Sequence, residues 1–303
     1  MSIGGTPGAA VHILAPAKIN VGLAVLGPRG DGYHEVRTIF QAVSLCDRIT
    51  LRRARAGVRV RCPALQGLGE RNLAHRAAAL FLERTGAPGG VRIDLEKRIP
   101  AGGGLGGGSS DAAAVLLGCC RLFGVVPAPG LLNAWAASLG SDVPFFLTGG
   151  SAIGSGRGEL IEPLAPFPGA VVALLHVPAG GLATAAVYRR LDPAALTGRA
   201  GAFNILLARW LEGDLRRLGK KLFNDLEEPA FALSPALPAV KEALNASGAL
   251  GSLLCGSGSS VFGLFGSDEE AARARRLLRG KVPGRLVKVH FLPARRRWGV
   301  VKR

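Results

Sequence analysis

The densest chemistry in this chain is the run Pro100-Ala-Gly-Gly-Gly-Leu-Gly-Gly-Gly-Ser-Ser-Asp111. Six glycines and two serines fall between Gly102 and Ser110. A turn needs one or two glycines; six leave a long arc of backbone N–H groups unshielded, and an apolar helix, expected over 112–123, follows directly. Unshielded N–H donors at the positive end of a helix form an anion site. Ser109 and Ser110 are expected to cap that helix and to donate to phosphate. A flexible linker would have the same composition, but it would not be held tightly between a strand and an apolar helix.

The common phosphate loops fit poorly. The P-loop requires Lys after its last glycine, where this chain has Ser109. Gly102, Gly104 and Gly107 match the dinucleotide fingerprint as a bare string. That fingerprint needs an acid for the ribose about 20 residues on, and no acidic residue lies between Asp111 and Asp142. The companion segments of protein kinases are missing too.

Alternation and breakers outline the elements that must hold the loop. Strands are expected over 11–15 and 19–26, joined near Pro16, and over 36–45 and 48–51, broken at Cys46-Asp47. Further strands are expected at 58–61, 91–96, 170–176, 250–254, 260–265 and 286–291. Helices are expected at 72–85, with Asn72 as cap and Gly86 as stop, and at 131–139, 184–191 and 268–279. Strands and helices mix in both halves, which restricts the class to α/β or α+β. Pro163 to Pro168 reads as the domain boundary.

The chain has 303 residues, 48% of them hydrophobic and 19% charged, so a core can form. No apolar run is long enough to span a bilayer, and the N-terminal stretch lacks the basic residues of a signal or transit peptide. Five cysteines without CxxC or metal spacing suit a reducing compartment. The net charge is +17, with six Arg and no acid over 48–61 and twelve basic residues and no acid over 273–303. Charge of this kind suggests a nucleic-acid partner. Arg outnumbers Lys 30 to 8, however, and no aromatic-interleaved RNA-binding motif is present. A compositional bias is therefore favoured over nucleic acid, and a positive field would also attract a phosphorylated substrate.

Taken together, the glycine run resembles the ATP loop of the GHMP kinases. Segments PAKINVGLAVLGPRGDGYHEVRTIFQAV from Pro16, LGSDVPFFLTGGSAIGSGRGE from Leu139, NDLEEPAF from Asn224 and LCGSGSSVFGLF from Leu254 are similar to one branch of that family. This branch phosphorylates a cytidine-diphosphate-bearing alcohol of the non-mevalonate isoprenoid route.

The resemblance implies an α+β fold of two domains. An N-terminal domain over 1–165 would carry the ATP loop and the catalytic residues. A ferredoxin-like C-terminal domain over 166–303 would close the cleft. It implies ATP on Gly102, Gly103, Gly104, Leu105, Gly106, Gly107, Gly108, Ser109 and Ser110, with Asn72 and Lys97 beside the adenosine. Mg²⁺ would come on the phosphates, with no dedicated protein metal site. Lys18 and Asp142 are implied as the catalytic pair: a part-buried ammonium beside the carboxylate that positions the nucleophile and takes its proton.

On the same basis Tyr33 and Tyr188 would sandwich the cytosine, His34 would bond its edge, and Asn20 and Thr184 would line the substrate pocket. The expected partner is a small molecule carrying cytidine diphosphate. Neither a nucleic-acid nor a membrane partner is expected of a cytoplasmic monomer or homodimer. Cys255 departs from the family pattern, standing where Ser or Thr is expected. The rival readings are another GHMP kinase with a different acceptor, which the Gly32–Glu35 segment argues against, and a basic nucleic-acid-binding protein.

Overall fold

The computed structural model describes residues 10–293 except 66, 193–195, 197 and 198. Two sheets organise them. The first is built on a long hairpin of β1 (Val11–Pro28) and β2 (His34–Ala54), antiparallel along their whole length. The other edge of β2 pairs with β4 (Gly90–Glu96) through Arg48–Ala54 and with β5 (Ser151–Ser155) through Thr38–Gln41. β3 (Gly57–Arg61) runs parallel to β4, and β6 (Leu160–Leu164) closes the far edge against β5. Helices α1 (Leu73–Thr85), α2 (Gly107–Phe123), α3 (Leu131–Leu139) and α4 (Val143–Thr148) cover the inner face.

The second sheet has the order β10-β7-β9-β8, from β7 (Val172–Val177), β8 (Gly251–Leu254), β9 (Val261–Phe265) and β10 (Arg285–His290). Helices α5 (Thr184–Tyr188), α6 (Arg199–Glu212), α7 (Leu215–Gly219), α8 (Glu227–Leu233) and α9 (Leu237–Ala246) lie between β7 and β8. Helix α10 (Asp268–Leu278) lies between β9 and β10. β7 and β9 lie at the sheet centre, helices join β7 to β8 and β9 to β10, and β8 and β9 form a hairpin at one side, which is the ferredoxin-like pattern.

The halves share a core. Ile19 and Val21 of β1 pack in one cluster with Phe203, Trp210, Leu253 and Phe262 of the second half. Leu23 bridges to Asn224, its N–H donating to the Phe223 carbonyl at 3.0 Å. Among the described residues no helix is long and apolar enough to cross a membrane.

Two expected breaks are absent. Pro16 does not divide β1; the register slips there instead, between Pro16 and Ala17, and a bulge tolerates a residue with no N–H to give. Cys46-Asp47 does not divide β2. Asp47 is buried and its carboxylate accepts the backbone N–H groups of Arg98 and Ile99, the latter at 2.8 Å, so a polar residue stays inside the sheet. Helix α1 does end as expected, with Asn72 Oδ1 accepting the Ala74 N–H at 2.9 Å and Gly86 left-handed at φ 61°.

Candidate active site

Side chains two apart on a strand share a face, and Lys18 and Asn20 on β1 do so. The Lys18 ammonium is buried, and burying a charge is costly unless it is paired. Lys18 Nζ donates to Asn20 Oδ1 at 2.8 Å, stands 3.4 Å from Asp142 Oδ2 and lies 5.5 Å from the centre of the Phe40 ring. Asn20 Nδ2 in turn donates to Thr38 Oγ1 at 2.8 Å, and that hydroxyl donates to the Gly22 carbonyl at 2.6 Å. Thr38 carries no signal in the sequence; only the pairing of β1 with β2 puts it behind Asn20. Asp142 occupies the position before α4, where an Asp usually caps, but its side chain makes no cap bond.

The glycine loop is held from two sides. The Lys18 N–H donates to the Leu105 carbonyl at 3.0 Å, and the Ser260 N–H donates to the Gly103 carbonyl at 3.1 Å. Gly102, Gly104 and Gly106 have φ of 72°, 75° and 69°, values that side chains rarely tolerate. At Gly104 a Cβ would also stand 1.9 Å from the Cys255 carbonyl oxygen.

Helix α2 starts at Gly107, inside the loop, with Gly106 at its cap position and no side-chain cap. Ser109 and Ser110 therefore sit within its first turn, and the expected serine caps are replaced by bare N–H groups. Ser109 lines the cavity below. Ser110 does not: it is buried, and its hydroxyl has no hydrogen-bond partner among the described residues.

Lys97 lines the cavity too, but its ammonium already bridges two buried carboxylates, Asp47 and, at 2.7 Å, Asp111. Its ammonium also links the loop's entry, where Asp47 holds Arg98 and Ile99, to its exit at Asp111. Burial outweighs Lys97 and pushes the Asp111 carboxyl up to about 7. Asp111 Oδ1 has no partner among the described residues. Neither Asp47 nor Asp111 was singled out from sequence, since an acid on a strand or in a helix turn is ordinarily solvated.

Tyr33, His34, Thr184 and Tyr188 gather at the other end of the cavity. Tyr33 is 54% exposed, which excludes a core role. The His34 and Tyr188 rings are 5.1 Å apart, tilted by 38°. Thr184 Oγ1 and Ser257 Oγ are 2.9 Å apart. Ser257 belongs to the Gly256–Gly258 turn, which Asn224 braces: its Nδ2 donates to the carbonyls of Leu254 at 3.0 Å and Gly256 at 2.7 Å. Backbone bonds complete the turn, the Cys255 N–H donating to the Ser260 carbonyl at 2.8 Å. The hydroxyl that Cys255 lacks is therefore not needed to order it. The thiol is buried, which pushes it up to about 12.

Lys18, Asn20, Thr38, Asp142, the loop from Gly102 to Ser109, Lys97, Asp111 and the Tyr33, His34, Thr184 and Tyr188 group line a single cavity of about 880 Å³ between the halves. Its lining comprises the glycine loop with Asn72, the Lys18–Asp142 pair and an aromatic group. Among the described residues no group of three or more His, Cys, Asp or Glu could hold a metal ion.

Known proteins resemble this chain in sequence and fold. Residues 72–150 match the family model for the GHMP kinases N-terminal domain and 205–283 that for the GHMP kinases C-terminal domain. The chain belongs to the GHMP kinase family and is a small-molecule kinase. Within that family, it is 44% identical to the 4-diphosphocytidyl-2-C-methyl-D-erythritol kinase of Moorella thermoacetica, over 90% of this chain and 96% of the relative. It is 45% identical to that of Thermus thermophilus, over 88% and 92%. A crystal structure of 4-(cytidine 5'-diphospho)-2C-methyl-D-erythritol kinase superposes with a TM-score of 0.79 at 43% identity, covering 92% of this chain and 98% of that one.

Proposed function

We propose that the chain transfers the γ-phosphate of ATP to the 2-hydroxyl of 4-diphosphocytidyl-2-C-methyl-D-erythritol, in non-mevalonate isoprenoid precursor synthesis. The observation that carries this reading is that one cavity brings together three groups: the glycine loop, the Lys18–Asp142 pair, and Tyr33, His34 and Tyr188. Nucleotide phosphates, reacting hydroxyl and pyrimidine base would occupy them respectively. The relatives of both kinds carry the same activity in their names.

In this mechanism the N–H groups of Gly102–Ser109 cradle the ATP phosphates at the start of α2. Asp142 accepts the proton of the attacking hydroxyl and points its oxygen at phosphorus, while the Lys18 ammonium stabilises charge on the transferring group. Asn20 holds Lys18, and Thr38 holds Asn20, so the pair needs no reorganisation when substrate arrives. His34 and the faces of Tyr33 and Tyr188 select cytosine, and Asn72 borders the adenosine. A Mg²⁺ would take most of its ligands from phosphate and water, and Asp142, whose carboxylate lines the cavity and is part exposed, is the residue that would hold it. Bound there, the ion would neutralise phosphate charge. We place the enzyme in the cytoplasm, as a monomer or homodimer; its five free cysteines agree with a reducing compartment.

A coupled ADP-release assay tests the reading, comparing 4-diphosphocytidyl-2-C-methyl-D-erythritol with mevalonate and homoserine. Turnover of the first alone is expected. Preference for either of the others would overturn it.

A further inference from the structure

A cytidine-diphosphate alcohol is linear: base, ribose, two phosphates, alcohol. With the base at Tyr33, His34 and Tyr188 and the hydroxyl at Asp142, the diphosphate must lie between them. The segment Gly156-Arg157-Gly158 spans that interval. Gly156 is tied to the β2 end of the aromatic site, its N–H donating to Glu35 Oε1 at 2.9 Å and its carbonyl accepting from Val36 at 2.8 Å. Gly158 adjoins the reacting end: a Cβ there would stand 4.0 Å from Asp142 Oδ1 and 3.7 Å from Phe40. Arg157 sits between the two glycines, both at positive φ, 71° and 104°.

The Arg157 guanidinium carbon lies 4.8 Å from the centre of the Tyr33 ring, within the range of a cation–π contact. Glu159 orients it from behind, accepting the Arg157 N–H at 2.6 Å and facing Nε at 3.5 Å. No hydrogen bond of its two terminal nitrogens is seen among the described residues; Asp31 feels its charge, and the side chain lines the cavity. Other cations lining the cavity are placed differently. Lys18 is held by Asn20 and Asp142, Lys97 by Asp47 and Asp111, and Arg71 adjoins Asn72 at the nucleotide end. Arg189, directly after Tyr188, is the remaining cation of the aromatic end.

We propose that Arg157 is the anchor for the substrate's diphosphate, with Arg189 as a second positive group on the same phosphates. Guanidinium is suited to this because its forked donors match phosphate oxygens in pairs. The same side chain lies over the Tyr33 ring, so one residue ties base recognition to phosphate recognition. The inference rests on the cytidine reading above.

The test compares cytidine and CDP as competitors of the alcohol substrate, with ATP saturating, in wild type and in Arg157→Gln, Arg157→Lys and Arg189→Gln. In wild type CDP is expected to compete more tightly than cytidine, by roughly 10- to 100-fold, the scale of charge-assisted hydrogen bonds. In Arg157→Gln that ratio should collapse toward one, with ATP KM and melting temperature unchanged. Arg157→Lys should keep part of it, because the charge remains without the fork, and Arg189→Gln should lower it less than Arg157→Gln does. Loss of cytidine binding alone would report only the brace on Tyr33. An unchanged CDP-to-cytidine ratio in Arg157→Gln overturns the anchor while leaving the cytidine reading standing. Failure of both cytidine and CDP to compete in wild type overturns the cytidine reading, and the anchor with it.

Discussion

Lys18 Nζ and Asp142 Oδ2 stand 3.4 Å apart, one on the first strand and the other in the turn before α4. The ammonium is 5% exposed and the carboxylate 33%, so the pair is anchored on its lysine side and open on its aspartate side. Gly158 keeps that open side clear, since a Cβ there would reach ordinary contact with Asp142 Oδ1 at 4.0 Å. Substrate can therefore reach the carboxylate without displacing the lysine.

Asp142→Asn should fold normally, because Asp142 caps no helix, and it should lose on the order of 10²-fold or more in kcat, the scale of removing a general base. The check is kcat of the purified variant beside its melting curve. A kcat near wild type would remove Asp142 from the chemistry.

Two glycines of the loop should behave differently. Gly104→Ala meets the Cys255 carbonyl oxygen at 1.9 Å and a φ of 75°, so it should force the loop from the Gly256–Gly258 turn, lowering the melting temperature and raising the ATP KM. Gly108→Ala has helical backbone and meets only Leu73 at 3.4 Å. It should leave the melting temperature nearly unchanged and raise the ATP KM more than the alcohol KM, by shielding the backbone from phosphate. An ATP KM unchanged in both variants would mean that the loop does not touch nucleotide.

Tyr33→Ala should weaken binding of the cytidine substrate by about 1–3 kcal/mol, the scale of one base–aromatic stack, with ATP binding intact. At 54% exposure the ring holds little of the fold together, so the melting temperature should barely move. Tyr33→Phe should bind as wild type does, since the face of the ring makes the contact. A large melting-temperature drop with unchanged substrate Kd would contradict the stacking role.

Asp111 gives a pH signature. Its carboxyl is raised from 3.8 to about 7 by burial, so between those values the folded state holds a proton that the unfolded chain has released. Stability from this group is thus full below about pH 4 and is lost as pH rises through 7. Asp111→Asn should flatten that part of the stability curve, read from urea unfolding at several pH values between 5 and 8. Equal slopes in variant and wild type would show that Asp111 does not titrate there.

Features that depend on local backbone were legible in the sequence. The glycine run announced an anion loop because backbone close to phosphate and positive φ both exclude side chains. Asn72 and Gly86 marked the ends of α1 because caps act within a turn of their own residue. The mixture of alternating and helical periods indicated α+β, and four segments in family order indicated the kinase.

What only tertiary structure decided concerns partners distant in the chain. Pro16 and Cys46-Asp47 read as breaks, yet a register slip and the N–H groups of Arg98 and Ile99 absorb them. Ser110 read as a phosphate donor, but the helix starts early enough to turn its hydroxyl inward. Nothing near Lys97 in the chain showed that its charge would be balanced by Asp47 and Asp111 from two other elements. Where a charge goes once buried depends on which opposite charge the fold brings within 4 Å. That distance is set by strand pairing and helix packing, which no local spacing encodes.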